Sequence, residues 1–204
     1  MRRDDVFPAR PLVGLLGFLG RKDHLVPAEP LRALLGRHLG YTRLEDAPIP
    51  VRVITSEVTT GIEVVLHRGD AIDAVAASAA IPGVFPPVTI DGHQLMDCGV
   101  ANNTPVSHAI DEGVTTIYVL PTGFACALDR APKGALGMAM QAITVLVQQR
   151  LAVDVARYQD TVNLRVLPAL CPLAVTPIDF SHTAELIDRA QRRRQPMARP
   201  RPRT

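Results

Sequence analysis

The feature that most constrains the fold of this sequence is an alternation of short apolar runs with segments of helical periodicity. Runs rich in valine and isoleucine, which predict strands, occur at residues 49–58, 62–69, 115–121 and 162–168. Helical patterns lie at residues 26–39, 70–80, 104–113, 131–158 and 181–194. Because strands and helices alternate, the sequence predicts an α/β domain built in layers.

The stretch from residue 70 to residue 106 has the clearest local pattern. "DAIDAVAASAA" predicts a helix that buries Ile72, Val75, Ala76 and Ala79, and the prolines of "IPGVFPP" end it. "VTIDGHQLMD" predicts a β-hairpin around an Asp-Gly turn. A single carboxylate, Asp97, follows this hairpin at a strand end.

Composition narrows the class of protein. The 204 residues suit one domain, and 47% hydrophobic with 21% charged residues allows a packed core. Only 4% of residues are aromatic, and none is tryptophan, which argues against stacking on single-stranded nucleic acid. Residues 191–204 hold six arginines and no acid, and without them acidic residues outnumber basic ones. We therefore expect no nucleic-acid partner, and a disordered tail at residues 191–204.

The cysteines, the histidines and the first residues argue against disulfides, metal sites and a secretory signal. The cysteines at 98, 126 and 171 form no CxxC pair and indicate neither a disulfide framework nor a zinc site. The six histidines show no metal-ligand spacing, so no metal is expected. The first residues lack the apolar part of a secretory signal, and no run of about 18 apolar residues occurs. A cytoplasmic location, in a reducing compartment, is the resulting prediction.

Residues 77–106, "ASAAIPGVFPPVTIDGHQLMDCGVANNTPV", resemble the patatin-like phospholipase family. "TSEVTTG" and "GVTTIYVLPTG" are similar to further segments of that family, in the same order. The resemblance implies a three-layer α/β/α domain with a mostly parallel central sheet, here over residues 1–190. It also implies hydrolysis of lipid acyl esters by a Ser–Asp dyad, without a metal or an organic cofactor.

On this resemblance Asp97 is the base of the dyad, and Cys98 and Gly99 occupy its Asp-Gly-Gly-like turn. A carboxylate can take the proton of a serine if desolvation raises its pKa. The structural alternative is that Asp97 only caps the turn by binding amides near Gly99. Cys98 stands where the family has glycine. A cysteine there costs about 1 kcal/mol if φ at this position is positive, and almost nothing otherwise. As a nucleophile Cys98 is disfavoured, because Asp97 opposes its thiolate.

The family's serine lies in Gly-x-Ser-x-Gly, and no serine of this sequence has that setting. Ser78 as a substitute is a weaker alternative than a packing role in its alanine-rich helix. We therefore expect the first strands and the nucleophile turn of the domain to be missing, with Met1 an internal methionine. The other hypothesis is an inactive, truncated homologue with a structural or binding role.

The predicted partner is a lipid or acyl-ester substrate, with transient contact to a membrane surface. "PLVGLLGFLG" (11–20) either packs under the sheet or acts as a lid that contacts acyl chains. The arginine-rich tail is either a solvated end or attracted to anionic headgroups. The sequence leaves the acyl-chain length, the headgroup and the oligomeric state open.

Overall fold

The computed structural model describes residues 5–8, 14, 16–17, 19–121, 131–168, 170–171 and 179–192. Half of the apolar segment 11–20 and all of the tail from residue 193 lie outside the described residues. The alternatives given for those two segments therefore stay predictions.

The larger described sheet has four strands and is antiparallel throughout. They are β1 (Val53–Glu57), β2 (Glu63–Leu66), β3 (Val88–Ile90) and β4 (His93–Asp97), in the order β2-β1-β4-β3. The predicted hairpin is confirmed, since Asp91 and Gly92 join β3 to β4 with φ of 50° and 81°. Two successive positive φ values are what a tight hairpin turn requires.

Six helices lie wholly within the described residues: α1 (Glu29–His38), α2 (Ala71–Ser78), α3 (Gly99–Asn102), α4 (Val106–Asp111), α5 (Ala135–Tyr158) and α6 (Thr183–Arg192). Short 3-10 turns lie at Leu44–Asp46 and Phe180–His182. Two further strands, β5 (Thr116–Val119) and β6 (Asn163–Val166), pair in parallel. None of the described helices is both long and apolar enough to cross a membrane.

The α/β class is confirmed, but the strand directions differ from the expected mostly parallel sheet. Short connections join β1 to β2 and β3 to β4, and a short connection can only return the chain antiparallel. Parallel pairing needs a long crossover, which α5 supplies between β5 and β6. The two hairpins thus account for the antiparallel pairing of β1 with β2 and of β3 with β4.

Helix α2 packs on this sheet through its smallest side chains. Its buried residues are Ala71, Ala74, Ala76 and Ala77. The sequence had predicted burial of Ile72, Val75, Ala76 and Ala79, and of these only Ala76 is fully buried. Since alanine allows close approach, α2 contacts both β1 and β4 and brings its C-terminal end to the end of β4.

The two cysteines in the described part of the chain differ in state. Cys98 is free and buried, and Cys171 is disulfide-bonded. The expectation of reduced cysteines is therefore wrong for Cys171; its sequence spacing contains no signal for the bond.

Candidate active site

Asp97 is the last residue of β4, at the point where the sheet ends. It lies opposite Thr55 of β1, and its backbone N–H donates to the Ala80 carbonyl at 3.0 Å. Its Oδ1 accepts a hydrogen bond from the Gly99 N–H at 2.7 Å. The turn-capping contact considered from the sequence is thus present, yet among the described residues it uses only one carboxylate oxygen.

Burial changes the acidity of this carboxyl group. Desolvation raises the pKa of Asp97 above its usual value, and the hydrogen bond from Gly99 opposes that rise only in part. A carboxylate with a raised pKa is a stronger base than an exposed one. Asp97 is therefore a better proton acceptor than an exposed aspartate would be.

Asp97 lines a cavity of about 500 Å³ beside the N-terminal half of β1. The wall includes Ile54 of β1, Ser78 of α2, and Asn103, which follows α3. Arg52 also lines it, and its guanidinium binds the Glu112 carboxylate at 2.8 and 3.1 Å. The strand-end position expected for Asp97 is the one observed, and the residue borders this cavity.

Cys98 and Gly99 have different structural roles in the turn. Cys98 has φ −72° and ψ −3°, so a side chain at this position carries no backbone strain. It is buried, its sulfur accepts from Ser56 Oγ at 3.3 Å, and burial raises the pKa of its thiol, which disfavours a nucleophilic thiolate. A Cβ on Gly99 would lie 3.1 Å from Asp97 Oδ1 and 3.3 Å from Asn103 Oδ1. A side chain at 99 would therefore press on the Asp97 carboxylate and the Asn103 amide, and one of them would have to shift.

A buried polar cluster holds α3, the short helix after Asp97. Asn102 is 2% exposed, and its Nδ2 donates to Glu63 Oε2 at 3.0 Å. The same Glu63 oxygen lies 2.7 Å from His108 Nε2. Burial would raise the pKa of Glu63, but the hydrogen bonds from Asn102 and His108 hold it below its usual value. The sequence patterns give no sign of the roles of Glu63 and His108, because these residues lie on other elements.

The four serines of the sequence all make other hydrogen bonds. Ser78 shares the cavity, but its Oγ donates to the Ile54 carbonyl at 3.0 Å. Ser56 is fully buried and donates to Cys98. Ser107 accepts from Asn102 at 3.5 Å, and Ser181 donates to Asp179 at 2.6 Å. No serine of this chain lies on a sharp strand-to-helix turn among the described residues.

Known proteins resemble the part of the chain that builds this site. An uncharacterized NTE family protein of Mycobacterium tuberculosis is 35% identical over 69 residues, which is 34% of this chain and 19% of that protein. The lysophospholipase NTE1 of Saccharomyces cerevisiae is 31% identical over 93 residues, 46% of this chain and 5% of the yeast protein. The chain therefore matches less than a fifth of the length of either relative.

A family model gives the broader match. The model described as patatin-like phospholipase covers residues 3–110, which is more than half of the chain. That range includes the antiparallel sheet, α2, Asp97 and the start of α4. The chain belongs to the patatin-like phospholipase family, a family of lipid hydrolases.

Proposed function

We propose that this chain supplies the base of a patatin-type acyl-ester hydrolase, with Asp97 acting on a serine that lies outside the 204 residues. The main support for this proposal is the environment of Asp97. Its carboxyl group has a raised pKa, is fixed at a strand end and borders a cavity. Neither a metal nor an organic cofactor enters the proposed reaction.

Every proton transfer in the proposed reaction passes through the carboxyl group of Asp97. As the serine Oγ attacks the ester carbonyl, its proton passes to Asp97. When the tetrahedral intermediate collapses, that proton goes to the departing alkoxide, which leaves as an alcohol. Asp97 then takes a proton from water as the water attacks the acyl-serine, and returns it to the serine as the fatty acid leaves.

The substrate proposed is a lipid ester with a flexible acyl chain. One relative is named a lysophospholipase, and the family model carries the name phospholipase. The cavity beside Asp97 is of the size that holds small organic ligands. Such a substrate implies transient contact of the enzyme with a membrane or micelle surface.

A second candidate is a non-catalytic homologue that acts as a structural or binding protein. It is favoured by one observation: none of the four serines lies in Gly-x-Ser-x-Gly. The two candidates differ in whether adding the missing motif creates an enzyme.

The test compares two forms of the protein. The first is the 204-residue chain alone, and the second is the complemented chain, in which a Gly-x-Ser-x-Gly segment of a patatin-like relative is fused ahead of Met1. Both are treated with a fluorophosphonate, and the labelled residue is located by mass spectrometry. We expect no labelled serine in the chain alone and labelling of the motif serine in the complemented chain. Labelling of Ser78 in the chain alone would contradict the proposal.

A further inference from the structure

Helix α5 begins with a stretch that carries no charge. Residues 134–149 include no acidic, basic or histidine residue, and the charged residues of the helix are Arg150, Asp154 and Arg157. At about 1.5 Å of rise per residue the stretch is about 24 Å long, less than the roughly 30 Å of hydrocarbon in a bilayer. It can therefore lie along an apolar surface but is too short to cross a bilayer.

The apolar side chains of this stretch lie on the solvent side. Four of them have between 37% and 68% of their area exposed: Met138, Ile143, Val145 and Leu146. Three of the four polar side chains are instead half-buried: Gln141, Thr144 and Gln148. Thr144 and Gln148 interact with other groups of the chain. A helix at a water-exposed surface has the opposite distribution, so the solvent side of this stretch is suited to an apolar medium.

Packing on the inward side fixes the rotation of α5. Leu151 is buried and packs with apolar residues of α4 and β5. Asp154, about one turn later on the same side, is also buried. Val153 is 60% exposed and lies seven residues, about two turns, after Leu146. The exposed apolar residues therefore form one face of α5, called the apolar face below: Met138, Ile143, Val145, Leu146 and Val153.

The exposed charges next to the apolar face are positive. Lys133, just ahead of α5, is exposed, and so are Arg150 and Arg157 on the helix. The acid of α5, Asp154, is buried and paired with Arg150. A second copy of this chain would bring the same cations to the face, and like charges placed together repel. Anionic lipid headgroups would instead complement these cations.

Hydrogen-bonding capacity also favours lipid over a protein partner. A protein–protein interface carries about one hydrogen bond per 100–200 Å². From Met138 to Leu146 the exposed side chains that the structure describes are all apolar and offer no donor or acceptor. Hydrocarbon chains offer none either, so neither side leaves a polar group unpaired. The apolar face therefore fits acyl chains.

We propose that the apolar face of α5 docks on the surface of a lipid aggregate. Its side chains lie among the acyl chains, and Lys133, Arg150 and Arg157 lie at the headgroups. The inference rests on the proposed function, because the substrate of that reaction resides in such a surface, and it adds the face by which the enzyme binds there. Helix α5 packs against α3, the short helix that follows Asp97. Docking through α5 therefore brings the lipid surface close to the turn that holds the proposed base.

The first test locates the docked face with a fluorescent reporter. The chain has no tryptophan, so a single introduced one reports only on its own position. Leu146→Trp places it on the apolar face, and Ile49→Trp places it at an apolar residue ahead of β1 that is 75% exposed. Vesicles contain equal parts of phosphatidylcholine and phosphatidylglycerol with brominated acyl chains. We expect these lipids to quench the fluorescence of Leu146→Trp ~2-fold or more and to leave Ile49→Trp unchanged.

The second test measures binding of the 204-residue chain to the same vesicles without bromine. Flotation in a density gradient separates vesicle-bound protein from aggregate. Leu146→Gln removes apolar surface without changing the net charge, and Ile49→Gln is the matched control. We expect Leu146→Gln to weaken binding ~10-fold and Ile49→Gln to change it less than ~2-fold. Vesicles of phosphatidylcholine alone should bind the unaltered chain ~5-fold or more weakly, because they lack the anionic headgroups.

Several results would overturn the proposal. They are absence of quenching in Leu146→Trp, equal quenching of both tryptophan variants, and equal losses of binding in both glutamine variants. Sedimentation velocity without lipid tests the other occupant. Self-association that Leu146→Gln abolishes, together with no vesicle binding, would assign the apolar face to a second copy of this chain.

The docking face and the proposed function fail in different ways. If the complemented chain hydrolyses vesicle lipid and Leu146→Gln leaves that rate unchanged, the function stands and the docking face is wrong. If vesicle binding depends on Leu146 while Asp97→Asn leaves hydrolysis intact, the docking face stands and the base assignment is wrong. Hydrolysis of a water-soluble short-chain ester is the control, and Leu146→Gln should not change it.

Discussion

At the scale of single residues, the carboxyl group of Asp97 is held in an environment that disfavours its charge. Because its folded pKa is raised above the ordinary value of 3.8, the folded state binds more protons than the unfolded state between those two pKa values. Stability therefore falls as pH rises through this window and stays lowered above it.

Asp97→Asn removes the ionisable group and with it the loss of stability at high pH. The amide keeps a side-chain oxygen that can accept the hydrogen bond from the Gly99 N–H. We expect this variant to melt at a higher temperature than the wild type at pH 7, with the difference shrinking as the pH approaches 4. Thermal unfolding followed by circular dichroism at both pH values checks it. Asp111→Asn, at an exposed position, is the control and should change little. A variant less stable than the wild type at pH 7 would mean that the Asp97 charge stabilises the fold.

Gly99→Ala tests the close contact at the turn. The new methyl group would lie 3.1 Å from Asp97 Oδ1, so the carboxylate or α3 must shift. We expect a loss of about 1–3 kcal/mol in the free energy of unfolding. Gly40→Ala is matched, because a Cβ there meets nothing within 4 Å. Equal denaturant midpoints for the two variants would show that the turn tolerates a side chain.

The sequence predicted the position of Asp97 but not what supports it. A hairpin and a small-residue helix are local patterns, and they locate the carboxylate at a strand end. The contacts of Glu63 with Asn102 and His108 join residues 39 and 45 positions apart in the chain. No local pattern encodes such contacts, because each depends on how three elements pack.

At the scale of elements, the short helix α3 depends on its polar anchor. Glu63→Gln replaces charged hydrogen bonds to Asn102 and His108 with neutral ones and should cost about 1–3 kcal/mol of unfolding free energy. The folded pKa of Glu63 is lowered from 4.5, so its contribution is present above that value and is lost as pH falls through the folded pKa.

Urea unfolding of Glu63→Gln at pH 7 and at pH 4 measures this contribution. Glu112→Gln is the control, since it breaks an exposed pair with Arg52 that is worth about 0–1 kcal/mol. We expect the Glu63 variant to lose more unfolding free energy than the control at pH 7, and the difference between the two variants to narrow at pH 4. A gap that does not depend on pH would assign the loss to packing.

Helices and hairpins were predictable from periodicity and turn residues, whereas the sheet directions were not. The family resemblance suggested a mostly parallel sheet, and the antiparallel pairing of β1 with β4 joins residues about 40 positions apart. Among the described residues β1 is paired on both sides over part of its length, whereas β5 is paired on one side only.

At the scale of the whole molecule, apolar surface remains uncovered by the described residues. Helix α5 exposes Met138, Leu146 and Val153, and β5 exposes Tyr118 and Leu120. A helix that is apolar on several sides is typically buried in a larger assembly. We expect the chain alone to bind the dye ANS and to show poor solubility, and the complemented chain to bind less dye. A monomeric chain with a sharp melt by near-UV and far-UV circular dichroism and no dye binding would favour the non-catalytic candidate.

The central claim is that Asp97 is the base for a serine from outside this chain, and the pH dependence of ester hydrolysis by the complemented chain tests it most directly. Its kcat/KM should rise with pH as a single carboxyl group ionises, with a midpoint above 3.8. Asp97→Asn should lower kcat/KM at pH 7 by ~100-fold or more and remove that ionisation, while Asp111→Asn keeps both rate and profile. Retained activity in Asp97→Asn, with the acidic limb unchanged, would contradict the account.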